Sequence, residues 1–156
     1  MEPVKIDGLT VSSTMIRRLL YEGDFSLAAK LLGRPWEIYG EVLKGKQLGR
    51  QLGFPTLNLQ PKVLLPLRYG VYAAEVSLGG KTYQSACNIG HAPTVSSHLL
   101  KAEAHLFDFN DQVYGQKVSL KPLLFLRDEQ RFANLDDLKN QIALDVIQAK
   151  EFFQKR

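Results

Sequence analysis

Cysteine is almost absent from this 156-residue sequence. Cys87 stands alone, so no internal disulfide can form, and the cross-linked scaffold of a small secreted domain is excluded. No apolar run approaches the roughly 20 residues that a membrane-spanning helix needs. The opening MEPVKIDGLT lacks the apolar stretch of a signal peptide, so no membrane partner is expected and the expected compartment is the cytoplasm. Charge of one sign is also scarce. Twenty Lys and Arg against sixteen Asp and Glu leave a net +4. That mild excess suits phosphate-bearing ligands but is too small to establish nucleic-acid binding. At 45% hydrophobic and 23% charged residues, the composition is that of a folded domain with room for one core and a short appendage.

Three regions differ in pattern. Residues 12–33 carry helical spacing: Ser12, Ser13 and Thr14 offer N-caps, Met15, Ile16, Leu19 and Leu20 recur on one face, and Gly23 is a stop. Asp24 can cap a second short helix that Gly33 ends. Two such helices bury little by themselves and must lean on something else. Residues 36–126 read as strands, at Ile38–Lys44, Val71–Leu78, Thr82–Ile89, Ala102–Phe109 and Val118–Phe125. Gly79-Gly80 is a strong hairpin signal and Asn110-Asp111 a weaker one. Five or six short strands without a βαβ rhythm predict a small antiparallel barrel or sandwich. Residues 134–155 predict a long helix. Asn134 caps it, Asp136 and Asp137 sit in its first turn, and Leu135, Leu138, Ile142, Ala149 and Phe152 or Phe153 form its apolar stripe.

The most unusual stretch is Gly45-Lys46-Gln47-Leu48-Gly49-Arg50-Gln51-Leu52-Gly53-Phe54-Pro55-Thr56-Leu57-Asn58. Glycines four apart let backbone N–H groups turn toward a ligand, and Lys46 and Arg50 add charge, which together suit a phosphate. A long hairpin loop with solvated charges is an equally simple reading. Gly40-x4-Gly45-Lys46 mimics a P-loop, but Gln47 stands where the magnesium-binding hydroxyl belongs, and Glu41-Val42-Leu43 is strand-like. Pro55 stiffens the exit from the loop. Thr56 and Asn58 alternate by two, so in an extended segment both oxygens point one way, as hard ligands of the kind Mg²⁺ accepts. Two polar residues ending a strand would look the same.

The residues Gly45…Gly49-Arg50-Gln51-Leu52-Gly53-Phe54-Pro55-Thr56-Leu57-Asn58 resemble the nucleotide loop and "PTAN" motif of riboflavin kinases, with Leu57 in place of the usual alanine. The likeness continues in order through Gly70-Val71-Tyr72, Asn88-Ile89-Gly90 with Pro93-Thr94, Glu103-Ala104-His105, Tyr114-Gly115, and Phe132 to Asp145, covering roughly residues 36–153. Residues 9–33, with Val11-Ser12-Ser13-Thr14-x-Ile16-Arg17 and Leu32-Gly33-Arg34-Pro35, are similar to the segment joining the two halves of bacterial bifunctional riboflavin kinase/FAD synthetases. The nucleotidyltransferase His-x-Gly-His signature is missing, since Gly90-His91 lacks the first histidine. The expected organisation is therefore a helical linker at 1–34, resembling the end of an adenylyltransferase domain, and a kinase domain at 35–156: either a piece of a longer parent chain with an FMN adenylyltransferase domain as partner, or a naturally shortened protein.

The resemblance implies a mainly β fold: a six-stranded antiparallel Greek-key barrel with a C-terminal helix and a short N-terminal helical segment. It implies ATP- and Mg²⁺-dependent phosphorylation of the riboflavin 5′-hydroxyl, giving FMN and ADP. Gly45, Gly49 and Arg50 would wrap ATP phosphates, Thr56 and Asn58 would hold Mg²⁺, and Tyr114 would lie near adenine. Arg127 would contact the flavin, with an Arg–Asp or Arg–Glu surface pair as its plain alternative. Asn88 would help to order the site. Glu103 would be the general base. Alternation puts it on one face with His105, Phe107 and Phe109, where partial desolvation would make it a better base; an outward glutamate on an edge strand is the plainer reading of the pattern. A non-catalytic flavin- or nucleotide-binding barrel is disfavoured by the intact Thr56, Asn58 and Glu103. A barrel binding single-stranded nucleic acid is disfavoured because no basic-aromatic ladder surrounds Lys46 and Arg50. His91, His98 and His105 lack the companions of a zinc site, and Cys87 reads as packing.

Overall fold

The computed structural model describes residues 2–44, 50, 52–61, 65–91, 100–109, 111 and 113–156. The chain opens with a small hairpin, β1 (Lys5–Ile6) and β2 (Leu9–Thr10), turned by Asp7 and Gly8, both at positive φ. An Asp-Gly pair suits that turn, because both central residues of such a hairpin must be left-handed. Helices α1 (Ser13–Glu22) and α2 (Phe25–Leu32) follow. Ser12 and Asp24 cap them through Met15 N and Leu27 N, each at 3.1 Å, and Gly23 and Gly33 end them in the left-handed region. Caps and stops thus fall where the spacing predicts.

Six strands then close a barrel: β3 (Ile38–Leu43), β4 (Leu57–Leu59), β5 (Gly70–Leu78), β6 (Lys81–His91), β7 (Leu100–Leu106) and β8 (Lys117–Asp128). The order around it is β3-β4-β7-β6-β5-β8, all neighbours antiparallel. β5, β6 and β7 follow one another, and β8 returns to lie beside β5, which is the Greek-key arrangement. Gly79 and Gly80 make the two-residue turn between β5 and β6, both at positive φ, as the hairpin signal predicts.

Leu57–Leu59 is the sixth strand, which the apolar runs alone left open. Two strand ends differ from expectation. β7 stops at Leu106, because Asp108 takes a φ of 58° and breaks the alternation. Phe109 therefore crosses to the interior side and meets Tyr83 edge-on at 5.0 Å, away from the face of Glu103. β8 runs past Phe125 to Asp128, absorbing register shifts near Val71 and Ala73 of β5.

Two cores result. The larger fills the barrel with Ile38, Val42, Leu59, Tyr72, Ile89 and Ala104, and takes in Leu19, Leu20, Phe25 and Leu31 of the two short helices. The helices therefore lean on the barrel as their small apolar faces require. Tyr72 joins the parts: its ring packs against Phe25 at 5.9 Å and Phe125 at 5.2 Å, and its hydroxyl donates to Arg68 O at 2.7 Å. Burial pushes this phenol well above its usual range, so it remains a neutral donor. Cys87 is wholly buried in the interior, and burial, together with the charge of Glu103, pushes its thiol up.

The smaller core lies outside the barrel, under α3 (Leu135–Lys155), whose Val146, Ala149 and Phe153 pack on Ala73, Ala86 and Phe107. Asn134 caps α3 through Asp137 N at 2.9 Å. Leu135 is 55% exposed and leaves the predicted stripe, one turn short of the contact. Among the described residues no helix is long and apolar enough to cross a membrane.

The end of α3 is tied to the barrel by Glu75 of β5, which pairs with Lys121 at 3.2 Å and with Arg156. Burial works to raise this carboxyl, but the hydrogen bonds and charges of Arg156 and Lys121 outweigh it, and its pKa lies below the ordinary 4.5. A depressed carboxyl stabilises the fold above its unfolded pKa and loses that contribution as pH falls through its folded value. Glu75→Gln is therefore expected to lower the melting temperature by about 2–4 °C near pH 7, the effect of roughly 1 kcal/mol in a chain of this size, with the difference from the parent vanishing at acid pH. Melting curves from pH 7 to pH 3 check it; a constant gap across that range contradicts it.

Candidate functional site

The barrel register lines up one row of side chains on the outer wall. Asn58 of β4 lies opposite Glu103 of β7, Glu103 opposite Asn88 of β6, Asn88 opposite Val71 of β5, and Val71 opposite Arg127 of β8. Their sequence neighbours Leu57, Ala102, Ala104, Cys87, Ile89 and Tyr72 point inward to the barrel core. Alternation thus delivers one polar or site-facing group per strand across five strands. Leu57, the departure from the usual alanine, packs inward and leaves Thr56 and Asn58 on the other side.

A cleft of about 340 Å³ opens along this row, walled on one side by Val71, Asn88, Glu103 and His105 and on the other by Leu138, Ile142 and Val146 of α3. Phe54 and Thr56 close one end, and Arg127, Glu129 and Phe132 stand at the other. A second crevice of about 50 Å³ contains Arg50, Thr56, Asp111 and Tyr114. Thr56 borders both. The structure therefore brings Thr56, Asn88, Glu103 and Arg127 together along one cleft, and Arg50 and Tyr114 into the adjoining one. Asn58 is paired in register with Glu103 but lines neither crevice. Gly45 and Gly49 lie outside the described residues, as does Asn110 of the weaker hairpin signal.

The polar groups differ in what they already hold. The Glu103 carboxylate pairs with Lys101, two residues back on the same face, and is 37% exposed. It stands beside a cation and solvent rather than among the aromatics that alternation suggested. Thr56 and Asn58 make no side-chain hydrogen bond among the described residues, and Asn58 is only 8% exposed. Among the described residues no fully buried side-chain nitrogen or oxygen lacks a partner, so the Asn58 amide is not completely sealed from solvent. Two neutral side-chain oxygens two residues apart, neither holding a hydrogen bond among the described residues, are of the kind a small hard cation takes alongside water and phosphate.

Arg127 is held firmly. Its Nε and one terminal nitrogen donate to the two oxygens of Asp145, each at 2.8 Å, and its other terminal nitrogen donates to Asp128 O at 2.9 Å. Gln141 donates to the same Asp145 at 3.0 Å. With Arg127 18% and Asp145 5% exposed, this is a buried fork pinning α3 to the barrel, not a surface pair. Gly70 lets β5 approach the backbone of Arg127 closely, since a Cβ there would collide with Arg127 O.

Three residues of the site escaped the sequence reading. Asp145 carries a legible signal, an acid among apolar neighbours on a buried helix stripe. Glu129 lies against Gly90, where a Cβ would meet its carboxylate at 1.9 Å, and only the fold reveals that contact. His105 was grouped with Glu103 but given no task.

A model of the riboflavin kinase family matches residues 32–153. The bifunctional riboflavin kinase/FMN adenylyltransferase of Haemophilus influenzae is 42% identical over 150 residues, covering 95% of this chain and 48% of that protein. The Escherichia coli protein of the same name is 43% identical over 147 residues, covering 94% and 47%. Among solved structures, a Streptococcus pneumoniae protein described as a macrolide-efflux protein superposes with a TM-score of 0.82 at 32% identity, over 95% of this chain and 49% of that one. A riboflavin kinase from Trypanosoma brucei superposes with a TM-score of 0.57 at 27% identity, over 76% and 80%. The chain belongs to the riboflavin kinase family. It spans about half the length of the curated relatives it matches.

Removing Asp145 strands a mostly buried guanidinium. Asp145→Ala is expected to cost about 3–5 kcal/mol, while Arg127→Met combined with Asp145→Leu recovers most of that loss. Urea unfolding of both variants checks this; equal destabilisation would mean that the pair does not act as a unit.

Proposed function

We propose that this chain transfers the γ-phosphoryl group of ATP to the 5′-hydroxyl of riboflavin, giving FMN and ADP. One observation carries the reading: Thr56 belongs to both crevices, and the larger one has Glu103 beside Asn58 on the adjoining strand. Donor and acceptor bound in the two crevices would meet at a hydroxyl, an amide and a carboxylate.

The larger cleft suits a flat ring system. Its walls are mostly apolar, with a few polar groups at fixed points, and about 340 Å³ falls within the usual range for such sites. Arg127, fixed by Asp145, offers the flavin a rigid edge, and Asn88 adds an amide beside Glu103. The smaller crevice, at about 50 Å³, holds only part of a nucleotide. Arg50 and Tyr114 line it as a cation for phosphate and a ring for adenine, and Gly45 and Gly49 are assigned to the phosphates on sequence grounds.

Phosphoryl transfer asks mainly for positioning and charge compensation. Thr56 and Asn58 are the residues that would hold Mg²⁺, which when bound offsets charge on the phosphate oxygens. In the step itself the ribityl oxygen forms a bond to the γ-phosphorus, the bond from that phosphorus to the β–γ bridging oxygen breaks, and ADP leaves. The hydroxyl proton passes to Glu103. Lys101 lies within reach of the same carboxylate, and its hold must loosen as the hydroxyl docks. Residues 1–34 are read as a helical linker that resembles the end of an adenylyltransferase domain, in keeping with the two-function names of relatives twice as long.

Glu103→Gln removes the proton acceptor and is expected to lower kcat by about 10²–10⁴-fold with little change in the KM for riboflavin. Chromatographic assay of FMN checks it, and a near-normal rate removes Glu103 from the role. Asn58→Ala is expected to raise the Mg²⁺ concentration for half-maximal rate by about tenfold, as loss of one ligand would. An unchanged metal titration contradicts ligation.

A further inference from the structure

The geometry points to His105 as a positioning residue that sets the direction in which Thr56 enters the site, and this inference rests on the function proposed above. His105 lies two residues beyond Glu103 on the outer face of β7. Its Nδ1 is 2.8 Å from Pro55 O, which joins the strand carrying the carboxylate to the segment carrying the hydroxyl. A carbonyl oxygen only accepts, so Nδ1 carries the proton. The ring is held edge-to-face by Phe54 at 5.6 Å and by Phe107 at 5.8 Å. It therefore cannot swing away without opening both contacts.

The consequence follows from the backbone. The proline ring fixes φ of Pro55, and the peptide bond to Thr56 is planar. One soft torsion, ψ of Pro55, remains between the loop and Thr56. That torsion also aims the Pro55 carbonyl, so a hydrogen bond to this oxygen fixes the peptide plane and with it the placement of Thr56. A side chain on the strand of Glu103 thus gauges the distance between the two halves of the site.

Two substitutions separate the donor from the ring. His105→Asn keeps a nitrogen donor near the Nδ1 position but loses the ring. His105→Phe keeps an aromatic ring between Phe54 and Phe107 but has no donor. With wild-type turnover established first, kcat/KM for MgATP is expected to fall about tenfold in His105→Phe, the scale of one lost hydrogen bond, and to stay within about twofold in His105→Asn. Equal losses, no loss in either, or a loss confined to His105→Asn overturns the proposal. A second measurement needs neither catalysis nor a folded variant. Long-range ¹⁵N–¹H correlation spectra of the wild-type chain report which ring nitrogen is protonated; protonated Nδ1 is expected for His105, and a bare Nδ1 overturns the proposal. A wild-type chain with the expected tautomer but no kinase activity would instead count against the proposed function.

Discussion

The pairing of β4 with β7 is the constraint on which the rest depends. β4 is only three residues long, yet it sets Asn58 against Glu103 and Leu57 against Ala104. A slip of one residue would turn Leu57 out to the cleft and Thr56 and Asn58 into the barrel core. Burial of Leu59, with Leu57 partly buried against the same core, opposes that slip. The hydrophobic core thus sets the register, and the register sets the site.

The opposite wall is fixed separately. α3 lies outside the barrel, and its apolar contact with Ala73, Ala86 and Phe107 does not by itself define its rotation. The two-pronged contact of Arg127 with Asp145 does, and Gln141 braces the same carboxylate. Near the helix end, Glu75 holds Arg156. Directional contacts at two points along the helix keep the cleft at a defined width, which suits a planar ligand.

Much of this was legible in the residues. Gly79-Gly80, Asp24, Gly33 and Asn134 marked turns and caps because each demands or supplies a particular local geometry. Alternation puts Thr56 and Asn58 on one side and Leu57 on the other, and Leu57 packs against the barrel core. The misreadings share a cause. Phe109 was assigned to the face of Glu103 by extending alternation through Asp108, whose left-handed backbone ends it. Leu135 was assigned to the buried stripe because periodicity does not say where contact begins. The opening hairpin had a signal in Asp7-Gly8, but its strands are two residues each, too short to show a period. The Arg127–Asp145 and His105–Pro55 contacts join residues 18 and 50 apart, and no local pattern ranks such partners.

In the proposed reaction the Thr56 hydroxyl, the Asn58 amide and the Glu103 carboxylate serve phosphoryl transfer between two adjoining crevices. The most direct test is to incubate the chain with riboflavin, ATP and Mg²⁺ and to follow the flavins and nucleotides by chromatography. FMN and ADP are expected in equal amounts, neither appearing without the metal. ADP release that does not depend on riboflavin, or binding of both substrates with no FMN, would contradict that reaction.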